Sequence, residues 1–239
     1  MQMQNLLSLT RKAIDEYKMI NNGDKIAIGL SGGKDSFSLL IALNEIKKFY
    51  PLNYEIIGIT VSLGFDEFDT SPIKRFCDKL NIEYHVVSTN IGEIVFNDRK
   101  ETNPCSLCSK LRKAALYTKA VELGCNKTAL GHNKDDVIQT FFLSMFYEGR
   151  IHTFKPVTYL DRKKIYILRP LIYLPENKIS SFINKQSDVN IVKNPCPVEG
   201  MTKRDDIKHF ILEQSKKIND FEQKIFNQIQ RLPLAGWER

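Results

Sequence analysis

The sequence predicts an α/β protein: a doubly wound, mainly parallel five-stranded sheet followed by a C-terminal helical extension. Three observations predict it. Strand-like and helix-like runs alternate along the first part of the chain, a glycine turn joins the first such strand directly to a helix, and a Pro-Cys-Pro break at residues 195–197 precedes a long polar run. The strand-like runs are Ile26–Leu30, Glu55–Ser62, Glu83–Ser88 and Lys127–Gly131. They alternate with helix-like stretches near Asp35–Phe49, Ser71–Leu80, Ser106–Leu123 and Asn133–Tyr147. Such βαβα order makes a parallel sheet with helices on both faces, and its ligand site lies beyond the C-terminal strand ends at a switch point. After Gly149 the pattern changes. Val157–Leu160 and Ile165–Leu168 flank polar Asp161–Lys164, which reads as a hairpin. A helix follows near Pro175–Lys185, then a long polar helix from Arg204 to Gln230. Residues 1–200 are therefore expected to form one domain, with 201–239 as a helical extension that is not an independent domain.

Composition excludes several classes. In 239 residues, 42% apolar and 26% charged content is close to the globular average, which argues against disorder and against a disulfide-stapled miniature. The longest apolar runs fall well short of the ~20 residues of a membrane span, so no membrane partner is expected. Met1–Lys12 carries its basic pair after a leucine cluster, the reverse of a secretory leader, which predicts a cytoplasmic protein. The net charge of +7 is uneven: Arg99–Lys119 and Arg150–Arg169 each hold six basic residues and one acid, leaving the remainder at −3. Two such windows suit a polyanion, nucleic acid first, although solvated lysine faces give the same count. Five cysteines in such a chain favour metal binding or thiol chemistry over a disulfide framework.

The sharpest motif is Ile26-Ala-Ile-Gly-Leu30 running at once into Ser31-Gly-Gly-Lys-Asp-Ser36 and then a helix. Adjacent glycines let backbone N–H groups close on a phosphate, the helix presents its positive end, and Lys34 adds a mobile cation. Gly29 and Gly33 enclose three residues and Asp35 follows the lysine, so this is not a Walker loop. A carboxylate beside bound phosphates is useful for holding Mg²⁺. The string resembles the pyrophosphatase loop of the N-type ATP pyrophosphatases (the PP-loop superfamily, adenine nucleotide alpha hydrolase-like in fold), which cleave ATP between the α and β phosphates. Gly131-His-Asn-Lys-Asp-Asp136 resembles that superfamily's second element, making Asp135 a candidate for orienting metal or substrate, though two acids at a helix start also serve as caps. Where the superfamily's next helix usually carries Glu, this chain has Gln139.

Cys105 and Cys108 form a Cys-x-x-Cys at a helix start after Asn103-Pro104, and Cys196 lies between two prolines. Thiolates at a helix N-terminus suit redox chemistry, zinc or an iron–sulfur cluster, and no second Cys-x-x-Cys exists in the chain. Cys77 and Cys125 read as small core residues. Over nearly its whole length the chain is similar to the iron–sulfur-dependent tRNA thiolases, specifically the TtcA-like tRNA 2-thiocytidine synthetases. The matching strings are Ser31–Ser36, Cys105-Ser-Leu-Cys-Ser-Lys-Leu-Arg112, Leu130–Asp136, Arg169-Pro-Leu171 and Pro195-Cys196. Many of those relatives carry another cysteine where this chain has Glu199.

The resemblance implies a 4Fe-4S cluster held by Cys105, Cys108 and Cys196 with one iron left open for sulfur. It implies ATP and Mg²⁺ at Leu30, Ser31, Gly32, Gly33, Lys34, Asp35, Ser36, Thr60 and Gly131, with Lys34, Asp35, Asp135 and Arg112 as the catalytic set. Arg112 follows Cys108 by one helical turn, where a solvated cation is equally at home. RNA contacts are expected from Lys113, Lys155, Lys163 and Lys164, with Tyr159, Tyr166 and Tyr173 as stacking candidates. Phe141, Phe142, Phe146 and Tyr147 recur at helical spacing and read as core. His132 stands where a structural or a ligand-contacting histidine would fit. The expected partners are tRNA and a sulfur donor, a cysteine desulfurase or free sulfide, and a homodimer is compatible with the family. Other readings of the same residues are thiolation of a uridine, a lysidine-type ligation, sulfur insertion into a small nucleotide, a persulfide pair at Cys105 and Cys108, and a nucleotide or redox sensor without turnover.

Overall fold

The computed structural model describes residues 1–239 except 66–67, 100–103, 193–194, 197–201, 233, 235 and 238–239. Asn103, Pro197, Glu199 and the boundary between residues 200 and 201 lie outside the described residues. The elements run α1 (Met3–Glu16), β1 (Asp24–Gly29), α2 (Lys34–Lys47), β2 (Tyr54–Ser62), α3 (Ser71–Lys79) and β3 (Tyr84–Ser88). A short α4 (Ile91–Glu93) continues into a π-helical turn, Ile94–Asp98, before α5 (Pro104–Glu122), β4 (Lys127–Ala129) and α6 (Lys134–Glu148). Then come β5 (Val157–Leu160), β6 (Ile165–Leu168), α7 (Glu176–Ile183), α8 (Lys203–Lys217) and α9 (Phe221–Arg231).

The sheet has six strands rather than five, in the order β3-β2-β1-β4-β6-β5. Five run parallel, and β5 closes the edge antiparallel to β6, so the hairpin expected after Gly149 is an integral part of this sheet. The order reverses at β1 and β4, which opens a crevice beyond their C-terminal ends. Alternation along the strands assigns the two faces. Ala27, Ile57 and Ile59 pack against Leu116, Tyr117 and Ala120 of α5, whereas Ile26, Ile28 and Ile56 join the larger core under α2, α3, α6 and α7.

Two helical segments depart from expectation. Leu6, Thr10, Ala13 and Ile14 recur on one buried face of α1, a helix the N-terminal sequence signals by this spacing alone. The polar run from Arg204 breaks into α8 and α9 because Asp220 adopts a left-handed conformation (φ 56°), which Asn and Asp tolerate better than most residues. Thr202 and Asp205 form a reciprocal cap that fixes where α8 starts. Ile207, Ile211, Phe226, Ile229 and Trp237 are buried in the main core. Among the described residues, no helix is long and apolar enough to cross a membrane.

Candidate active site

The crevice at β1 and β4 is an open cleft of about 1880 Å³, against ~300–1,000 Å³ for an ordinary small-molecule pocket. One ATP does not fill it. Its floor is the loop between β1 and α2. The Leu30 carbonyl accepts from the Thr60 hydroxyl at 2.7 Å, and the Leu30 N–H donates to the Ile59 carbonyl. Thr60 is thus a buried support for the loop and is not among the residues that line the cleft. Gly32 has φ +80°, and a Cβ there would stand 2.8 Å from Cβ of Val192. Its carbonyl accepts from the Val192 N–H, which fastens Val192 onto the loop. Gly131 answers a second close approach, because a Cβ would lie 3.0 Å from the Asp35 carbonyl carbon. Ser36 Oγ donates to the Gly33 carbonyl and holds the turn from inside. Leu30, Ser31, Gly33, Lys34, Asp35, Ser36 and Gly131 all line the cleft.

Lys34 Nζ is held by two carboxylates, Asp35 Oδ2 at 3.0 Å and Glu176 Oε1 at 2.8 Å. Burial favours the neutral amine, yet hydrogen bonds and charge from Glu176 and Asp35 outweigh it and raise the lysine's pKa. Glu176, at the start of α7, is a site residue with no motif to announce it, since it reaches the loop only through the fold. Asn133 caps α6 by accepting from the Asp136 N–H, and its amide donates to Asp35 Oδ1 at 3.0 Å. Both loop elements are thereby locked together.

The paired acids diverge. Neighbouring helical residues point about 100° apart, so one alone can face the cleft. That one is Asp136, which pairs with Arg204 at 2.7 Å, while Asp135 turns into a small adjoining pocket with Gln139, Glu176, Lys208 and Glu222. There its Oδ2 accepts the Glu176 N–H at 2.7 Å and positions the residue that holds Lys34. Burial, against that hydrogen bond, pushes its carboxyl up to about 6. A carboxyl pKa raised on folding costs stability as pH rises from ~4 to 6, on the order of 2–3 kcal/mol once fully ionised. Asp135→Asn is therefore expected to raise Tm at pH 7.5 and to lose that gain near pH 4, as read by thermal melts at the two pH values.

Beyond the loop, the cleft wall is cationic. Arg112, Lys113 and Arg204 line it, with buried Arg169 behind them. Burial lowers the Lys113 pKa, and the charges of Arg169, Arg112 and Arg204 lower it further. Burial likewise brings Arg169 down to about 10. Burial, and after it the same cations, hold His132 neutral, with its Nδ1 buried and lacking a hydrogen-bond partner. Such a wall is short of an anion.

Cys105 lines the mouth, Cys108 follows one turn along α5 against the Leu63, Ile91 and Val95 cluster, and both feel the charge of Cys196. All three are free thiols. Burial is the largest influence raising the thiol pKa of Cys105 and Cys108, with Arg112 pulling both down. Among the described residues, no three His, Cys, Asp or Glu side chains stand at metal-holding distance. By donor chemistry, three soft thiols without a fourth ligand suit an iron–sulfur cluster with one open iron better than a closed tetrahedral zinc. Cys77 and Cys125 are buried in the core.

The hairpin lysines lie elsewhere. Because β6 runs parallel to β4, the turn before Ile165 sits at the N-terminal edge of the sheet, opposite the cleft. Lys163 donates to Thr118 Oγ1 far along α5, Lys164 occupies the turn with φ 50°, and the Lys155 side chain packs over Gly236. Of the four lysines expected to touch RNA, only Lys113 faces the cleft. Tyr159 and Tyr166 form an exposed cross-strand pair on that hairpin, and Tyr173 is buried with its hydroxyl 3.2 Å from that of Tyr17.

A parallel sheet whose switch point carries a glycine–lysine phosphate loop beneath a cationic cleft defines an α/β nucleotide-binding domain. The family model described as a PP-loop domain matches residues 4–215, and the chain belongs to the PP-loop family. It is 37% identical over 221 residues to the tRNA-cytidine(32) 2-sulfurtransferase of Dichelobacter nodosus, covering 92% of this chain and 82% of that protein. It is 34% identical over 232 residues to the Pseudomonas putida protein of the same name, covering 95% and 83%. Among solved structures, the U34-tRNA thiolase NcsA from Methanococcus maripaludis with its [4Fe-4S] cluster aligns with TM-score 0.75 at 27% identity, over 94% of this chain and 77% of that one. The NH3-dependent NAD synthetase from Campylobacter jejuni, at 16% identity and TM-score 0.50 over 97% and 95%, shares the fold.

Proposed function

We propose that this protein is an ATP-dependent tRNA sulfurtransferase that adenylates the C2 oxygen of a cytidine and replaces that oxygen with sulfur, giving 2-thiocytidine. The observation that carries the reading is the meeting of the phosphate loop, the cationic wall and the Cys105 end of α5 in one cleft too large for ATP alone. A carbonyl oxygen is a poor leaving group, so it must first be converted into a better one. The base oxygen attacks the α phosphorus of ATP and pyrophosphate departs, with Lys34 and the loop N–H groups neutralising its charge and Asp35 available to hold Mg²⁺. A sulfide nucleophile then attacks C2, and AMP leaves with the former carbonyl oxygen. Arg112 and Lys113 line the same cleft and would meet the charge of the phosphates and of the modified nucleotide there. Cys105, Cys108 and Cys196 would hold a 4Fe-4S cluster, which when bound supplies an iron site for the incoming sulfur.

The target must leave its stack to enter the cleft, which costs least in a single-stranded loop. The sulfur comes from a cysteine desulfurase or free sulfide, and a homodimer is compatible with the reading. Residues 1–200 form the PP-loop domain with the cysteine site, and 201–239 are an extension that is not independent of it, since α8 and α9 side chains are buried in the common core and Arg204 joins the cleft wall. Pyrophosphate release tests the reading. It is expected only when ATP and unmodified tRNA are both present, whereas a sensor would bind ATP without consuming it.

A further inference from the structure

We propose that Tyr147, with Lys203 beside it, is a stacking platform at the mouth of the cleft for an unpaired base next to the nucleotide being modified. This rests on the tRNA reading above and adds a site to it. Tyr147 is the penultimate residue of α6, and its neighbours on that helix divide sharply. Val137, Ile138 and Phe142 are buried, whereas Phe146 and Tyr147 are 50% and 47% exposed. The core therefore has no use for the Tyr147 ring, which instead forms part of the cleft wall. Lys203 Nζ, on the first residue of α8, stands 4.5 Å from the ring centroid. Lys203 thus stands over one face of the ring as a cation–π partner, and the ring's solvent-exposed remainder takes the base while the lysine takes the adjoining phosphate, a combination that holds single-stranded nucleic acid.

Charge and space select the occupant. Arg204, Arg112 and Lys113 share the positive wall with Lys203, and the acids in the cleft are each paired already: Asp35 with Lys34, Asp136 with Arg204 and Glu148 with Arg150. A second copy of this +7 chain presenting the same patch would bring like charges together, whereas an RNA strand meets them with phosphates. The cleft also has volume beyond what ATP needs, and the platform lies on its wall. The exposed tyrosines of the hairpin sit at the opposite end of the sheet and cannot serve the same nucleotide.

The test measures binding of unmodified tRNA by fluorescence anisotropy and of ATP by calorimetry, on the full chain. Tyr147→Ala and Tyr147→Leu are expected to weaken tRNA binding about tenfold with ATP affinity unchanged, and Tyr147→Trp to retain it. Lys203→Gln is expected to weaken tRNA binding and reduce its salt dependence by about one phosphate contact. Should the alanine variant fold poorly, the leucine variant decides, since it keeps apolar bulk and removes stacking. Wild-type-like tRNA binding by Tyr147→Leu overturns the platform alone, as does a change in oligomeric state with tRNA affinity intact, which would make this face a contact between copies. Failure of the wild-type chain to bind any tRNA overturns the tRNA reading and the platform with it.

Discussion

Lys34→Ala is expected to lower tRNA-dependent pyrophosphate release by about a thousandfold while the protein remains folded. Removing a preorganised charge from a developing anion costs on the order of 3–4 kcal/mol in the transition state, which sets that factor. The cost to folding is much smaller. Lys34 is 27% exposed and its two partners are comparably open, so its loss removes ion pairs worth about 1 kcal/mol or less each. Glu176 and Asp35 would then face each other without a cation, a repulsion that also penalises triphosphate entry. Lys34→Arg keeps the charge but not the compact ammonium that sits between two carboxylates, so it should recover only part of the rate. Steady-state pyrophosphate release beside thermal melts measures both quantities. A Lys34→Ala variant within tenfold of wild type would remove the loop from the chemistry.

Cys196→Ser is expected to abolish thiolation while leaving ATP–pyrophosphate exchange with tRNA within a few-fold of wild type. The two half-reactions use different parts of the cleft. Adenylation needs the loop, Asp35 and the cationic wall, whereas of the thiols only Cys105 lines the cleft, with Cys108 one turn along α5 and Cys196 next to the lining residue Pro195. Val192 is hydrogen-bonded to the loop through its backbone, so serine at position 196 leaves that contact in place. Iron and sulfide content after anaerobic purification is the readout independent of turnover: it should fall strongly in Cys196→Ser, and likewise in Cys105→Ser and Cys108→Ser. Normal thiolation by an iron-free Cys196→Ser protein would favour a persulfide on Cys105 or Cys108.

Much of this architecture is legible in local sequence because the signals are local. The βαβα periodicity places β1 to β4 and their helices, and Ser31–Ser36 reads as a phosphate loop since glycine, lysine and helix start are contiguous. What is not legible depends on the third dimension. Glu176 reaches Lys34 across 142 residues, and no spacing announces it. Which of Asp135 and Asp136 faces the cleft depends on the rotation of α6, set by burial of Val137 and Ile138. The hairpin lysines show why charge density is a poor guide to a surface: Lys163 and Lys164 lie in a window as basic as the one holding Arg112 and Lys113, yet strand direction sends them to the far end of the sheet. Phe142 and Tyr147 belong to one aromatic run, and packing alone separates a core ring from an exposed one.

The most direct measurement is mass spectrometry of nucleosides digested from unmodified tRNA after anaerobic incubation with the iron-loaded protein, sulfide, Mg²⁺ and ATP. A new 2-thiocytidine peak is expected, absent when ATP is omitted and absent with Lys34→Ala. No thionucleoside despite ATP consumption, or sulfur on uridine alone, would contradict the assignment of cytidine thiolation to this cleft.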